Sequence, residues 1–507
     1  MERKIASRGM YLSYVVFALN LAISFVLTPL MLSYLGRSLY GVWVIVSSFI
    51  AYIQVFDFGM NVAVAKYTAE YRATNQNEKL SRLISSVFVI LLGFGCLAVL
   101  ISVGFLPFVP RLFDVAEEFV TPVRVAFFIM GVNIPFAFVG GVFENITYGL
   151  QRVDIWRIFA AVRLLSYAFF TILLLALGLG IVGPAIASIL STLILFPLYL
   201  FFFRRVDYGI VLRPDLLDVK TLKEVAPYSI RSFVLGITSR ILYQTDSIVI
   251  GIFLGAAKVT PYAIAYRLCF LATYFFSQIS SVMFPTFSRL YALGDLSALR
   301  SLYLTITRIS IAIMTPIAIF LLFFGHSFIV LWVGPENWVG FNVFLMFIIM
   351  DFIHAYGTPI GLLLQGIGRN RWFTYSEMSN AGLNLLLSVV LAPRLGVPGV
   401  MLGTLVAVSL TGAWFGPLLA CRYLELPVRR YILSGILPPL LVGIPAGAFT
   451  WIFAGDLFGE SSYFQLAVKG ILVVAIYLPL FIVFGASRED RQLLVSLIPQ
   501  GARAQVR

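Results

Sequence analysis

Arginine is the residue type whose placement in this chain demands a chemical explanation. Residues 228–267 read YSIRSFVLGITSRILYQTDSIVIGIFLGAAKVTPYAIAYR, apolar enough to lie in a membrane, yet they include Arg231, Arg240, Asp246 and Arg267, with Lys258 at a turn. A charge at membrane depth is costly and turns toward a cavity or a partner. Guanidinium keeps its charge at any cellular pH and presents a planar fork that suits phosphate oxygens. The chemistry suggested is recognition of an anion, with phosphate as the natural form. Counted from a cytoplasmic entry near residue 226, Arg240 is about fourteen residues in, or roughly 20 Å at 1.5 Å per residue. That makes it the central candidate. Arg231 and Arg267 are equally well placed to snorkel to opposite membrane surfaces. Arg231 precedes Arg240 by nine positions, nearly the opposite helical face, so the two share a stripe only where the helix breaks, at Gly236. Asp246 follows Arg240 by six, a poor spacing for a direct pair.

Other polar residues in apolar surroundings have two readings each. Asp57, with Gln54 three residues earlier and Asn61 four later, lines a cavity or braces the cytoplasmic end of a helix. Glu144, beside Asn145, carries an exchangeable proton or pairs with an arginine. Asn20, Asn133, Gln278 and Asn384 fit hydrogen bonding between helices.

Enzyme chemistry finds little support. No phosphate-binding loop follows a strand, and the glycines of Gly366-Ile367-Gly368 suit a polar turn. His326 and His354 are the two histidines, in different elements and without neighbouring ligands, so no metal site is expected. Cys96, Cys269 and Cys421 have no metal spacing and read as small apolar packers. No catalytic residue and no cofactor is expected.

The elements that position these residues must be membrane helices. Of the 507 residues, 60% are hydrophobic and 12% charged, and the mean hydropathy is +0.97. A soluble domain carries about twice that charged fraction. The fold class is all-α and polytopic. Candidate spans are 10–35, 39–60, 83–106, 120–147, 158–178, 181–203, 226–254, 261–287, 302–325, 340–364, 374–392, 396–420, 431–453 and 464–484, fourteen in all, with twelve as the rival count. The net charge of +13 lies in short loops and reports orientation rather than nucleic acid. Arg37, Arg111, Arg124, Lys258 and Arg394 fall on one side and most other basic residues on the opposite side, which places both termini in the cytoplasm.

Residues 204–225 read as a linker with a short amphipathic helix at 215–224, and 66–82 as a helical extension near the membrane surface. Leu35-Gly36 and Tyr40-Gly41 after the first span match Leu254-Gly255 and Tyr262-Ala263 after the seventh, which suggests a six-plus-six repeat. The domains expected are a six-helix lobe at 1–205, a cytoplasmic linker at 206–225, a second six-helix lobe at 226–425, and two further helices with a tail at 426–507.

Residues 20–67 resemble bacterial polysaccharide flippases of the multidrug/oligosaccharidyl-lipid/polysaccharide exporter superfamily, through Pro29, Leu35-Gly36, Tyr40-Gly41, Ser48, Asp57, Gly59 and Lys66. Asp246, Gly251, Leu254-Gly255, Val259, Tyr262 and Ala265 repeat a second pattern of that family, and GIGRNR and GVPGVMLGT also fit. The resemblance implies two six-helix bundles around a cavity open alternately to each leaflet of a bacterial inner membrane. It implies translocation of an undecaprenyl-diphosphate-type lipid-linked oligosaccharide from the cytoplasmic to the outer leaflet for cell-surface polysaccharide synthesis. Partners would be that lipid, membrane lipids, and a polysaccharide polymerase with export machinery. Arg240, then Arg267 and Arg231, would meet the diphosphate; Asp57, Gln54, Glu144 and Asp246 would be cavity or coupling residues. A cation-coupled multidrug exporter and a noncatalytic membrane assembly protein are the alternatives.

Overall fold

The computed structural model describes residues 2–113, 115–205, 210, 217–281, 283–454, 462–487 and 489–491. Among these the chain is helical throughout, in two compact units, Met1–Thr260 and Pro261–Arg507.

The first unit begins with α1, Glu2–Ile53, which is two helices joined at Gly36, where φ 71° and ψ 171° depart from helical geometry. A 3₁₀ turn, Gln54–Asp57, leads to α2, Met60–Ala73. Then follow α3, Asn77–Phe105; α4, Val109–Leu112; α5, Glu117–Gly149; α6, Val153–Ala176; α7, Val182–Leu193; and α8, Leu195–Arg205. The surface extension expected at 66–82 is thus the end of α2 and the start of α3, separated at Asn75, which has a left-handed φ of 56°.

α9, Val219–Leu254, spans 36 residues. It starts seven residues before the expected entry at 226; of the separate helix expected at 215–224, residues 219–224 are instead its first turns, and 215–216 lie outside the described residues. The cause is local. The Asp218 carboxylate accepts from the Lys220 amide and the Thr221 hydroxyl, at 2.9 and 2.6 Å, which sets the N-cap at Asp218. The Thr221 hydroxyl, the Lys220 amide and the Arg82 charge hold this exposed carboxyl below the usual carboxylate range. Ser86 and an ion pair between Lys79 and Glu224 at 2.6 Å tie the cap to α3. Pro227 lies inside α9 and does not end it, nor does Gly236. With no break, Arg231 and Arg240 keep opposite faces.

α10, Ala256–Ser281, starts in the first unit and runs into the second. There the chain forms α11, Phe284–Ala292; α12, Leu296–Val333; α13, Phe341–Gly366; α14, Arg371–Leu395; α15, Val397–Leu410; α16, Gly412–Tyr423; α17, Val428–Tyr431; α18, Leu437–Ala454; and α19, Tyr463–Leu480. The span expected at 396–420 is one membrane-crossing stretch, Val397–Tyr423, with a helix interruption at Thr411. α12 carries most of this unit, packing on α13, α18 and α19. Its aromatic face, Phe320, Phe324 and Phe328, meets Leu466, Val473 and Tyr477 of α19 in one core cluster.

Eleven helices among the described residues are long and apolar enough to cross a membrane. This is a multi-pass membrane protein. One of the eleven stretches, Tyr11–Asp57, contains the bend at Gly36.

Candidate functional site

Arg240 lies midway along α9 and is half-buried. Its Nε donates to the Ala51 carbonyl of α1 at 3.2 Å. Around it, the Ser48 hydroxyl donates to Gln244 Oε1 at 3.0 Å, and the Tyr52 and Thr245 hydroxyls share a short hydrogen bond. Asp246 is 7% exposed on the same stretch of helix, and its charge is felt at Tyr52. Arg240 forms no ion pair among the described residues, in accord with its poor spacing from Asp246. The long side chain instead reaches a neutral backbone acceptor on another helix.

Asp57 sits where this neighbouring span breaks. Phe58 and Gly59 both have left-handed backbone angles, φ 51° and φ 70°. Asp57 Oδ1 accepts the Gly59 amide at 2.9 Å, and Oδ2 accepts from the Asn61 side chain at 3.3 Å. The carboxylate thus secures the turn, while the Arg240 charge acts on it through space. Gln54 lies half-buried in the same turn. The polar stripe read as one helical face is really a 3₁₀ turn, a reversal in handedness, and the first turn of α2. At Gly59 the lack of a side chain is required twice over: φ is positive, and a Cβ would run into the Ser229 carbonyl of α9.

Glu144 has an arginine partner that the sequence did not supply by spacing. Arg163 of α6 pairs with Glu144 of α5, and the Tyr199 hydroxyl of α8 donates to Glu144 Oε1 at 2.6 Å. Phe143 stacks on Tyr199 at 5.3 Å, inside the cluster of Val139, Ile155, Phe159 and Leu195. Three helices meet on one carboxylate. Arg163 lies in the body of α6, within the span expected at 158–178. Glu144→Ala is expected to lower the thermal unfolding midpoint by several degrees, measured by size-exclusion after heating. Glu144→Gln, which keeps the acceptor for Tyr199, should recover part of the loss.

Arg231 and Arg267 are both exposed, Arg231 on α9 in the first unit and Arg267 on α10 in the second. The first unit brings together Arg240, Asp57, Gln54 and Asp246 along α1 and α9, while Glu144 anchors a separate network.

Two functional candidates escaped the sequence reading. Asp351 of α13 is 4% exposed. The Thr273 hydroxyl donates to its Oδ1 at 2.8 Å, and its Oδ2 has no hydrogen-bond partner among the described residues. The signal was present in IIMDFIHAYG, an acid in an apolar run three residues before His354. The second is Arg308 of α12, inside the span expected at 302–325. It pairs with Asp490 at 2.7 Å, the two side chains being 7% and 0% exposed. Asp490 lies in a helical turn after α19, 182 residues away in sequence. Among the described residues no three His, Cys, Asp or Glu side chains cluster as a metal site requires.

A bundle of long membrane helices with a charged residue held at mid-helix defines the class as a polytopic helical membrane protein. Two solved structures share the fold. One titled "Lipid II flippase MurJ, inward closed conformation" matches with a TM-score of 0.73 at 14% identity, covering 96% of this chain and 99% of the other. An inward-facing multidrug resistance MATE family transporter of the MOP superfamily matches with a TM-score of 0.68 at 17% identity, covering 81% and 94%. The family model described as polysaccharide biosynthesis protein matches residues 16–341, and the chain belongs to that family. Among curated proteins it is similar to the uncharacterized membrane protein EpsK of Bacillus subtilis, 22% identical over 94% of this chain and 95% of the relative. It is also similar to the uncharacterized membrane protein MJ1068 of Methanocaldococcus jannaschii, 22% identical over 88% and 91%.

Proposed function

We propose that this protein flips an isoprenoid-diphosphate-linked oligosaccharide, of the undecaprenyl type, from the cytoplasmic to the outer leaflet of a bacterial inner membrane for cell-surface polysaccharide synthesis. The observation that carries the reading is Arg240, a permanent charge midway along α9 whose hydrogen bond goes to a carbonyl rather than to a carboxylate. A diphosphate crossing a low-dielectric interior needs such a counter-charge. Membership of a polysaccharide biosynthesis family supports a glycan cargo.

In this reading Arg267 and Arg231 supply further positive charge along the route. The chain crosses fourteen times, with the bent first stretch counted as two spans and α9 and α10 added. Both termini are cytoplasmic, and two six-helix lobes, 1–205 and 226–425, alternate access across the linker at 206–225. A polysaccharide polymerase and export machinery are the downstream partners. The test is reconstitution of the purified protein in vesicles with a fluorescent lipid-linked oligosaccharide. Protein-dependent leaflet exchange is expected, and its absence across a suitable range of glycans would refute the proposal.

Asp351 favours a second reading, coupling of transport to a cation. A buried carboxylate oxygen without a hydrogen-bond partner is a place where a small cation gains and a bare charge loses. Asp351→Asn is expected to fold and to keep its thermal midpoint within a few degrees. Transport by the variant should fall about tenfold or more and lose its response to an imposed sodium or proton gradient; a gradient response equal to that of the native protein would remove Asp351 from coupling.

A further inference from the structure

The bond from Arg240 to the Ala51 carbonyl is one contact in a seam that runs the length of two helices. α9 lies antiparallel to the second half of α1 and to the turn that follows. At the end near Gly36, Arg37 Nε donates to the Ala257 carbonyl at 3.0 Å and the Thr260 hydroxyl donates to the Arg37 carbonyl at 2.6 Å. Gly41 lies directly against the Ala256 carbonyl. In the middle are the Ser48–Gln244, Tyr52–Thr245 and Arg240–Ala51 bonds. Beyond them Val55 faces Gly236, and Phe58 stacks on Phe233 with ring centroids 4.9 Å apart. At the far end Lys66 lies 3.9 Å from the Tyr67 ring and 5.0 Å from the Tyr228 ring.

The seam is unevenly built. Its Gly36 end is held by hydrogen bonds to backbone carbonyls, whereas beyond Arg240 side chains pack and Gly59 comes close to the Ser229 carbonyl, on a span already broken at Phe58 and Gly59. Arg240 is the charged member of the central polar group and stands between the firm part and the broken part. Its acceptor there, a neutral carbonyl, is a weaker partner for a guanidinium than a phosphate oxygen.

We infer that Arg240 is a latch released by the substrate's diphosphate. On the lipid-diphosphate reading on which this rests, the phosphates draw the guanidinium away from Ala51, and the seam between residues 55–58 and 233–236 loosens about the break at Phe58–Gly59. Binding and opening then share one side chain, so each favours the other by the same factor. Arg240 serves both as a counter-charge and as the element that makes helix separation conditional on cargo.

The test uses the pair Val55→Cys and Gly236→Cys in full-length protein whose three native cysteines are replaced by alanine. A Cβ built on Gly236 lies 3.8 Å from Val55 Cγ1, so the two positions are direct neighbours across the seam. In proteoliposomes, disulfide formation is timed with a membrane-permeant oxidant, with and without undecaprenyl diphosphate, and flipping of that lipid by the reduced protein is followed in parallel. Undecaprenyl diphosphate is expected to slow cross-linking several-fold, and to leave it unchanged in the same protein carrying Arg240→Gln. The latch is overturned if the lipid slows cross-linking equally in both proteins, or leaves it unchanged in a protein that flips the lipid. No flipping by the reduced pair variant, when native protein does flip, discards that reporter, and Ser48→Cys with Gln244→Cys replaces it under the same criteria. No flipping by native protein refutes the lipid-diphosphate reading and the latch with it. Size-exclusion profiles matching that of the native protein establish that each variant is folded.

Discussion

Arg240→Ala is expected to slow leaflet exchange of a lipid-linked oligosaccharide by roughly tenfold to a hundredfold while leaving the protein in the membrane. Hydrogen bonds to charged groups contribute about 1.5–3 kcal/mol each, and every 1.4 kcal/mol is about a factor of ten. Loss of one guanidinium–phosphate bond during passage gives that range. Folding should suffer far less, because Arg240 is half-buried, forms no ion pair among the described residues, and donates to a carbonyl already within a helix. Arg240→Lys separates charge from geometry. Lysine retains a positive point charge but lacks the planar fork, so its rate should lie between those of the native protein and the alanine variant. Initial rates from dithionite quenching of a fluorescent lipid provide the measurement, with expression and size-exclusion as controls. Native rates in the alanine variant would remove Arg240 from the transport path.

The largest loss of stability is expected from Arg308 and Asp490. Both side chains are almost wholly removed from solvent, and Asp490 Oδ2 also accepts the Ser487 amide at 2.7 Å. Taking away either partner leaves a buried charge uncompensated, which costs about 3–5 kcal/mol. Arg308→Ala and Asp490→Ala should therefore each reduce the folded fraction recovered from detergent and lower the thermal midpoint sharply. The double variant Arg308→Met with Asp490→Leu should recover most of that loss, because no charge is left behind and packing is restored. Equal damage in the single and double variants would show that the pair matters for its shape rather than its charge. Because Asp490 lies just beyond α19, truncation of the chain at residue 486 should resemble the Asp490 single variant.

The helical class, the membrane setting and most element positions could be read directly from apolar runs about twenty residues long, since a helix that cannot bond to water must satisfy its own backbone. Element ends were harder to place. The start of α9 depends on the Asp218 carboxylate and on its ties to α3, and those bonds outweighed the weak punctuation near residue 226. Site residues were legible where a charge stood alone in an apolar stretch, as Arg240 does. They were obscured where a partner came from far along the chain, as Arg163 did for Glu144, Thr273 for Asp351 and Asp490 for Arg308. Spacing on one helix says nothing about a neighbour brought up by packing. Asp57 had been read both as a cavity residue and as a brace; its bonds to Gly59 and Asn61 give it the bracing contacts.

The bends at Gly36 and Gly255 share one unusual backbone shape, φ 71° with ψ 171° and φ 83° with ψ 158°. Later in each half, Gly180 and Gly396 turn a second pair of helices, again with positive φ. On the fourteen-crossing reading proposed above, corresponding bends recur six crossings apart, and six is even. A chain that has crossed a membrane an even number of times is back on its starting side, so a tandem copy of the stretch threads in with the same polarity as the first. The translocation machinery can then read one set of basic loops for both copies. Duplication of a five-crossing unit would have forced the second copy upside down, with its basic loops on the wrong side until each was rewritten.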